Sequence, residues 1–422
     1  MSSNATRNIL TGTLVAVVGV LLIAVGFLAR VVVEADDDAP TQQAATVVPT
    51  DEGESFEVLS DIYDILKEDF VEPDRVDPDV LLDGAVNGLF QALGDPHSTY
   101  VSPDDFAVSR DDFQGSFQGI GATISQQDNF VVIVRALPDT PAERAGLQSG
   151  DVLLEVDGES AEGWSVQKAV LRIRGPQGTT VTMKIRHSDG QEETLSIVRD
   201  DVLVASVTTE APTDDGTLRD ADDNQVTDLG YVRISHFTQR TPIEVTEAVD
   251  QLLEANPDLR GLILDLRSNP GGLLVETAQT ADLFLEGGII LVQVDRDGTE
   301  REFSAQSGTI TDLPIVILQD EFSASGSEVL AAALAENGRA TIVGTKSFGK
   351  GTVNHARELP NGGAVYVSIA RWLTPQRNQI EGLGIRPDVE VNITLEDIEA
   401  GRDVAMYRAI DVLRADTATL PS

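Results

Sequence analysis

Apolar side chains recur in several rhythms along this 422-residue chain. Ile9 to Ala29 is an unbroken run of 21 residues without a charge. At about 1.5 Å per helical residue it matches the ~30 Å hydrocarbon core of a bilayer. A cleaved signal peptide has a shorter apolar region and a small-residue cleavage site, so the length favours an uncleaved anchor over residues 1–33. Arg7 and Arg30 flank the run and leave its orientation undecided by positive charge. The tract Glu34-Ala-Asp-Asp-Asp38 follows at once, and the simpler topology puts the short N-terminus inside and the long acidic body outside. Residues 34–54 lack an apolar period and read as an acidic linker.

From Phe56 the rhythm becomes helical: Phe56, Leu59, Ile62, Tyr63, Leu66 and Phe70 share one face. Val80 to Leu93 predicts a second amphipathic helix, stopped by Gly94-Asp-Pro. Residues 55–115 are therefore a small helical region. Strand signals dominate 116–200. Val131–Val134, Val152–Val156, Gly178–Arg186 and Glu193–Val198 are strands, turning at Asp157-Gly158 and Asp189-Gly190. Short helices are expected at Pro141–Leu147 and Trp164–Arg174. Between 201 and 394 strands alternate with helices, the pattern of an α/β layer. Strands fall at Gly230–Ser235, Gly261–Arg267, Ile315–Leu318 and Thr341–Gly344; helices fall at Thr241–Ala255, Gly272–Phe284 and Ser325–Glu336. The tail, 395–422, holds an amphipathic helix near Leu395 to Leu413 that mediates assembly or, the preferred reading, covers the core.

Composition narrows the chemistry. There is no cysteine, which excludes disulfides, thiolate zinc sites and cysteine catalysis. A net charge of −40 opposes binding to phosphate backbones. That acidity fits either adaptation to salt or a merely solvated surface. Only Lys67, Lys168, Lys184, Lys346 and Lys350 are lysines, and two of the five lie in one short loop. The four histidines, His97, His187, His236 and His355, have no metal-ligand spacing, so neither a metal nor a cofactor is expected.

Gly119-Ile-Gly-Ala-Thr-Ile124, Pro141 to Gly158 and Arg174-Gly-Pro-Gln-Gly-Thr179 follow one another in an order that resembles a PDZ domain. Alone, the first stretch fits a tight strand entry. The resemblance implies that Gly119, Ile120, Gly121 and Ala122 bind a peptide's C-terminal carboxylate; glycines let successive backbone N–H groups converge on an anion.

Three stretches follow strands of the α/β region, where open sheets place their chemistry. Leu266-Arg-Ser-Asn-Pro-Gly-Gly-Leu-Leu274 ends a strand in a Pro-Gly-Gly turn, which is either an ordinary loop or a source of unpaired N–H groups for an oxyanion. Ser323-Ala-Ser-Gly-Ser-Glu328 opens a helix. Its Ser325 fits a capping box with Glu328, and it also fits a nucleophile favoured by the helix dipole. Gly344-Thr-Lys-Ser-Phe-Gly-Lys-Gly351 carries Lys346 and Lys350. A lysine acts as general base only when neutral, which needs a shift from ~10.4 toward ~7, about 4–5 kcal/mol, supplied by burial.

Together these stretches resemble the carboxyl-terminal processing proteases, Ser–Lys serine endopeptidases. The resemblance runs from Phe56 to Asp388 and includes Gly94-Asp-Pro-His-Ser-Thr-Tyr100 and Gly382-Leu-Gly-Ile-Arg-Pro-Asp388. It implies Ser325 as nucleophile, Lys350 as base, and oxyanion donors at the Gly271 or Gly272 backbone and at Gly326. Two positions depart from the family. Gly326 stands where Ala is usual, and Asn354 stands where a Gln commonly orients the lysine. Asn is one methylene shorter but keeps the amide. A histidine base, His236 or His355, is the lesser alternative.

The expected architecture is an α/β protease core of the Clp protease/crotonase-like kind, with an inserted PDZ-like β-rich domain, a small N-terminal helical region and an N-terminal transmembrane helix. The expected function is extracytoplasmic cleavage of proteins or peptides that present free C-termini. No nucleic acid is expected as partner; the reading leaves room for a homo-oligomer or an accessory adaptor. The rivals are a PDZ scaffold with a degenerate protease, which Asn354 favours, and an acyl-CoA enzyme of crotonase type.

Overall fold

The computed structural model describes residues 52–418, in two compact units divided at Tyr100. The apolar run Ile9–Ala29 lies outside the described residues. Among those described, no helix is long and apolar enough to cross a membrane.

The first unit holds two helices, Glu52–Asp69 and Pro78–Leu93. The second begins where the backbone N–H groups of Asp79 and Val80 meet the Asp77 side chain, with a proline in the first turn. Several of their apolar residues, including Ile62, Ile65, Leu82 and Leu89, are exposed.

The second unit contains a β-rich part and an α/β part. In the β-rich part the strands Ala122–Gln127, Phe130–Ala136, Val152–Val156, Thr180–Arg186 and Glu192–Val198 lie in that order, all antiparallel. Their inward residues close on Trp164, Ala169 and Ile173 in one apolar core. The helix Val166–Ile173 starts at Ser165, whose hydroxyl accepts the Lys168 N–H.

The α/β part is built on a sheet ordered Val207–Thr208, Leu229–Ile234, Gly261–Asp265, Ile315–Gln319, Ala340–Gly344, Val389–Glu390. All neighbours after the first pair are parallel. The central strands Gly261–Asp265 and Ile315–Gln319 are buried throughout, as a sheet covered on both faces requires. The helices Thr241–Ala255, Leu274–Asp282 and Gly326–Glu336 contribute to the core on one face. The helix Val404–Ala418 covers the other with Met406, Ala409, Ile410 and Leu413. The single tail helix expected near Leu395–Leu413 is two, Leu395–Glu399 and Val404–Ala418, with Gly401 in left-handed conformation between them. An antiparallel layer of Ile289–Asp295, Glu300–Ser304, Thr352–Glu358 and Ala364–Leu373 has no counterpart in the sequence expectations.

Candidate active site

The sheet sends three neighbouring strands toward one edge. The turns that follow Gly261–Asp265, Ile315–Gln319 and Ala340–Gly344 carry the Pro-Gly-Gly, serine and lysine stretches respectively. Chain order alone separates these stretches by tens of residues; parallel pairing puts their ends side by side.

Ser325 sits at the N-terminus of Gly326–Glu336 with φ 54° and ψ −111°. A non-glycine residue there stores roughly 1–3 kcal/mol of strain, which surrounding bonds must hold. Those bonds come from Glu328, fully buried one turn into the helix. One of its oxygens, Oε2, accepts the N–H of Ser325 at 2.8 Å and of Lys350 at 2.9 Å. The other, Oε1, accepts the Ser347 hydroxyl at 2.6 Å and the Gly349 N–H at 2.7 Å. Burial pushes this carboxyl above its ordinary range, against the four hydrogen bonds that favour the anion. A single side chain thereby fixes the serine turn to the lysine loop.

The lysine loop is held from its other sides too. Trp372, buried, donates its indole N–H to the Lys350 carbonyl at 2.9 Å. The Gly382 N–H bonds Gly349 O, the Gly351 N–H bonds a Glu381 carboxylate oxygen, and Ile385 N bonds the Ser347 hydroxyl. The Gly382–Asp388 stretch is thus a brace for the loop. Lys350 is half-buried whereas Lys346 is exposed.

The Pro-Gly-Gly turn abuts the serine. A methyl group built on Gly271 would lie 2.7 Å from Gly326 N and 2.8 Å from Ser325 Cβ. At Gly272, with φ +149°, it would strike Phe237 O at 2.1 Å. No larger residue fits either place. Of the expected donors, Gly271 N–H is already given to Asn269 Oδ1 at 2.8 Å, which removes it as an oxyanion donor. Gly272 and Gly326 N–H groups have no hydrogen-bond partner among the described residues.

Asn354 lies on the strand Thr352–Glu358, beside a register shift at Val353. Its Oδ1 receives the hydroxyls of Thr352 at 3.3 Å and Ser368 at 3.4 Å. His355, next in sequence, is exposed. His236 Nδ1 pairs with Ser235 Oγ at 2.9 Å, and His187 bridges Asp151 and Glu193 in the β-rich part. No cluster of three or more metal-binding side chains occurs among the described residues.

In the glycine loop expected to bind a carboxylate, Gly119, Ile120 and Gly121 are buried and Ala122 is half-buried. Ile120 side chain joins the domain core. The Ile120 and Gly121 N–H groups have no hydrogen-bond partner among the described residues. Gly121 has φ +79°, and a methyl there would meet Thr140 at 2.4 Å. Arg174 stacks on Phe117 at 4.2 Å beside Gly119.

Sequence reasoning underrated Glu328, seen only as a capping partner, and missed Asn269 and the buried Asp265–Arg267 pair. Arg267 joins Asp265 and, at 2.8 Å, Asp403 at the start of the last helix. Tyr231 hydroxyl donates to the same Asp265. The Leu-Asp-Leu-Arg spelling before the Pro-Gly-Gly turn was the available signal: two charges ending a buried strand require partners.

Three stretches of the chain match known families. Residues 228–391 match peptidase family S41, 111–186 match the PDZ domain, and 21–104 match the activating protease CtpB N-terminal domain. The carboxy-terminal processing protease CtpA of Bacillus subtilis is 34% identical over 80% of this chain and 69% of its own. A carboxy-terminal-processing protease of Bartonella bacilliformis is 33% identical over 86% and 82%. Among solved structures, the photosystem II D1 C-terminal processing protease aligns with a TM-score of 0.44 at 26% identity, covering 83% of this chain and 98% of that one. The chain belongs to the carboxy-terminal processing protease family, and is a serine-type peptidase of family S41 with a PDZ domain.

Proposed function

We propose that this peptidase is anchored by its N-terminal apolar run, works outside the cytoplasm, and cleaves proteins captured by their C-termini, with Ser325 as nucleophile and Lys350 as base. The observation that carries the reading is the shared Glu328 oxygen, which ties the backbones of Ser325 and Lys350 together although 25 residues separate them. In the first step Ser325 Oγ attacks the scissile carbonyl while the neutral Lys350 amine takes its proton. The oxyanion is received by the N–H groups of Gly272 and Gly326, at a helix N-terminus whose dipole favours negative charge. Collapse breaks the C–N bond, and the leaving amine takes the proton from Lys350. Water then attacks the ester with Lys350 again as base, releasing the acid and restoring Ser325.

Capture is supported by the sheet order. Ala122–Gln127 is an end strand of its sheet, so an extended peptide adds alongside it with its carboxylate toward the Gly119–Ala122 loop. A homo-oligomer is supported by the exposed apolar side chains of the two N-terminal helices. Asn354 is the feature that favours the rival, a weak or inactive scaffold that only binds C-termini.

The test uses two copies of one unfolded substrate that differ only in a free or an amidated apolar C-terminus. The free form should be cleaved with a KM at least about tenfold lower, in line with one lost charge-assisted contact. Equal KM for both would exclude C-terminal capture.

A further inference from the structure

Within the Ser-Asn-Pro-Gly-Gly turn, the supply of backbone donors is settled residue by residue. Asn269 gives its own N–H to Leu266 O at 3.1 Å. Pro270 has none to give. Gly271 gives its N–H to the Asn269 side chain. Gly272 is the first residue of the turn whose N–H is left over. Asn269 therefore decides which donor points outward.

The same residue is bonded to the serine turn. Its carbonyl oxygen accepts the Ala324 N–H at 2.9 Å and the Ser327 hydroxyl at 2.7 Å, on either side of Ser325. Its side-chain N–H₂ donates to Ile234 O at 2.9 Å, on the neighbouring strand. Asn269 and Ser327 are both buried, with 0% and 1% exposure. An amide accepts from Gly271 with one atom and donates to Ile234 with another; an ionised carboxylate of the same size only accepts, and an apolar group does neither.

We propose that Asn269 is the positioning residue of the oxyanion site, setting the Gly272 and Gly326 N–H groups in register with Ser325. It touches no substrate. It acts by withdrawing the Gly271 donor and by fixing the Pro-Gly-Gly turn to both flanks of the serine. The inference rests on the Ser325 mechanism proposed above.

Asn269→Asp provides the test. The ionised carboxylate keeps the bond from Gly271, opposes Ile234 O and places negative charge beside the developing oxyanion. Protonated, it donates to Ile234 O as the amide does. The variant should lose about 10²–10³-fold in kcat, the scale of one oxyanion donor, with KM changed less than threefold. A peptide aldehyde, which binds as a tetrahedral adduct, should weaken by a similar factor. The variant-to-wild-type ratio of kcat should climb as pH falls through the introduced carboxyl's pKa. Asn269→Ala should lose kcat without that recovery. Ser327→Ala, a milder change, should lower kcat several-fold at unchanged KM, and it serves if the Asn269 variants do not fold. Loss confined to KM, or aldehyde affinity unchanged in a folded variant, would overturn the proposal. Amide exchange separates this failure from failure of the protease reading. Even in an enzyme that cleaves nothing, Gly271 should exchange slowly in wild type and fast in Asn269→Ala, with Gly272 fast in both. Equal Gly271 exchange in the two proteins counts against the role of Asn269.

Discussion

Glu328 shows how much one residue can carry. Its carboxylate accepts four hydrogen bonds, from the Ser325 and Lys350 backbones and from two neighbours of the lysine. Glu328→Gln keeps the size but replaces an acceptor oxygen with a donor, so two of the four donors lose their partner. Each buried orphan costs about 1–3 kcal/mol. The variant should melt several degrees lower and lose at least about tenfold in kcat, read by calorimetry and steady-state kinetics on the same preparation. A variant with wild-type kcat would mean that Glu328 serves the fold alone. Gly326 is the other instructive residue. A methyl there would lie 2.7 Å from Thr277 Oγ1 and 3.0 Å from the Phe237 ring. Thr277 is fully buried and bonded to Leu273 O, so it has little room to yield. That contact disfavours any side chain at position 326. The Ser325 and Lys350 stretches stand out in the sequence by their distinctive local spellings, and parallel pairing of the strands before them puts the two side by side. The bonds of Glu328 were not legible there, because Ser347, Gly349 and Lys350 reach it only through a parallel strand crossover.

At the scale of elements, helices with clear apolar periods and caps were read closely: Thr241–Ala255 has the expected bounds, and Gly326–Glu336 starts just after the expected Ser325. The antiparallel layer was missed. Its longest strand, Ala364–Leu373, has half its residues half-buried and mixes Ser, Arg and Tyr with apolar residues, so no clean alternation marks it. It nonetheless positions the site, since Trp372 holds the Lys350 carbonyl. The last helix was expected to cover the core and does so, with Asp403 securing it to Arg267. In the β-rich part a different device joins two strands. His187, just past Thr180–Arg186, contacts Asp151 at 2.8 Å and Glu193 at 3.2 Å. Hydrogen bonds that its ring N–H groups donate to these carboxylates, Asp151 first, raise its pKa above the ordinary 6.5. A histidine whose folded pKa is raised contributes stability that is complete below about pH 6.5 and is lost as pH rises through the folded value. Thermal melts across pH 5–9 should therefore show a decline on the alkaline side that His187→Gln lacks. Parallel curves for the two proteins would remove His187 as the cause.

For the whole molecule, charge is the dominant fact. A formal net charge of −40 on 422 residues makes the folded state repel itself. Screening shortens the Debye length from about 10 Å at 0.1 M salt to about 3 Å at 1 M. Melting temperature should rise over that range of sodium chloride. A flat or falling curve would show that the charges are already well compensated locally, as the Arg377 pairs with Glu300 and Glu302 are. The arrangement of domains has a plain functional logic. A β-rich module with an open strand edge and a buried glycine loop is joined to a sheet whose adjoining ends gather the serine, the lysine and two N–H groups without a partner among the described residues. These last elements are proposed to cleave peptide bonds by a serine with a lysine base. The direct measurement is proteolysis of an unfolded protein with an apolar C-terminus by wild type, Ser325→Ala and Lys350→Ala, run together at the salt concentration of greatest stability. Cleavage by wild type alone, with both variants folded and inactive, is the predicted result. Cleavage that survives in either variant, or a folded wild type that binds the substrate and leaves it intact, would contradict it.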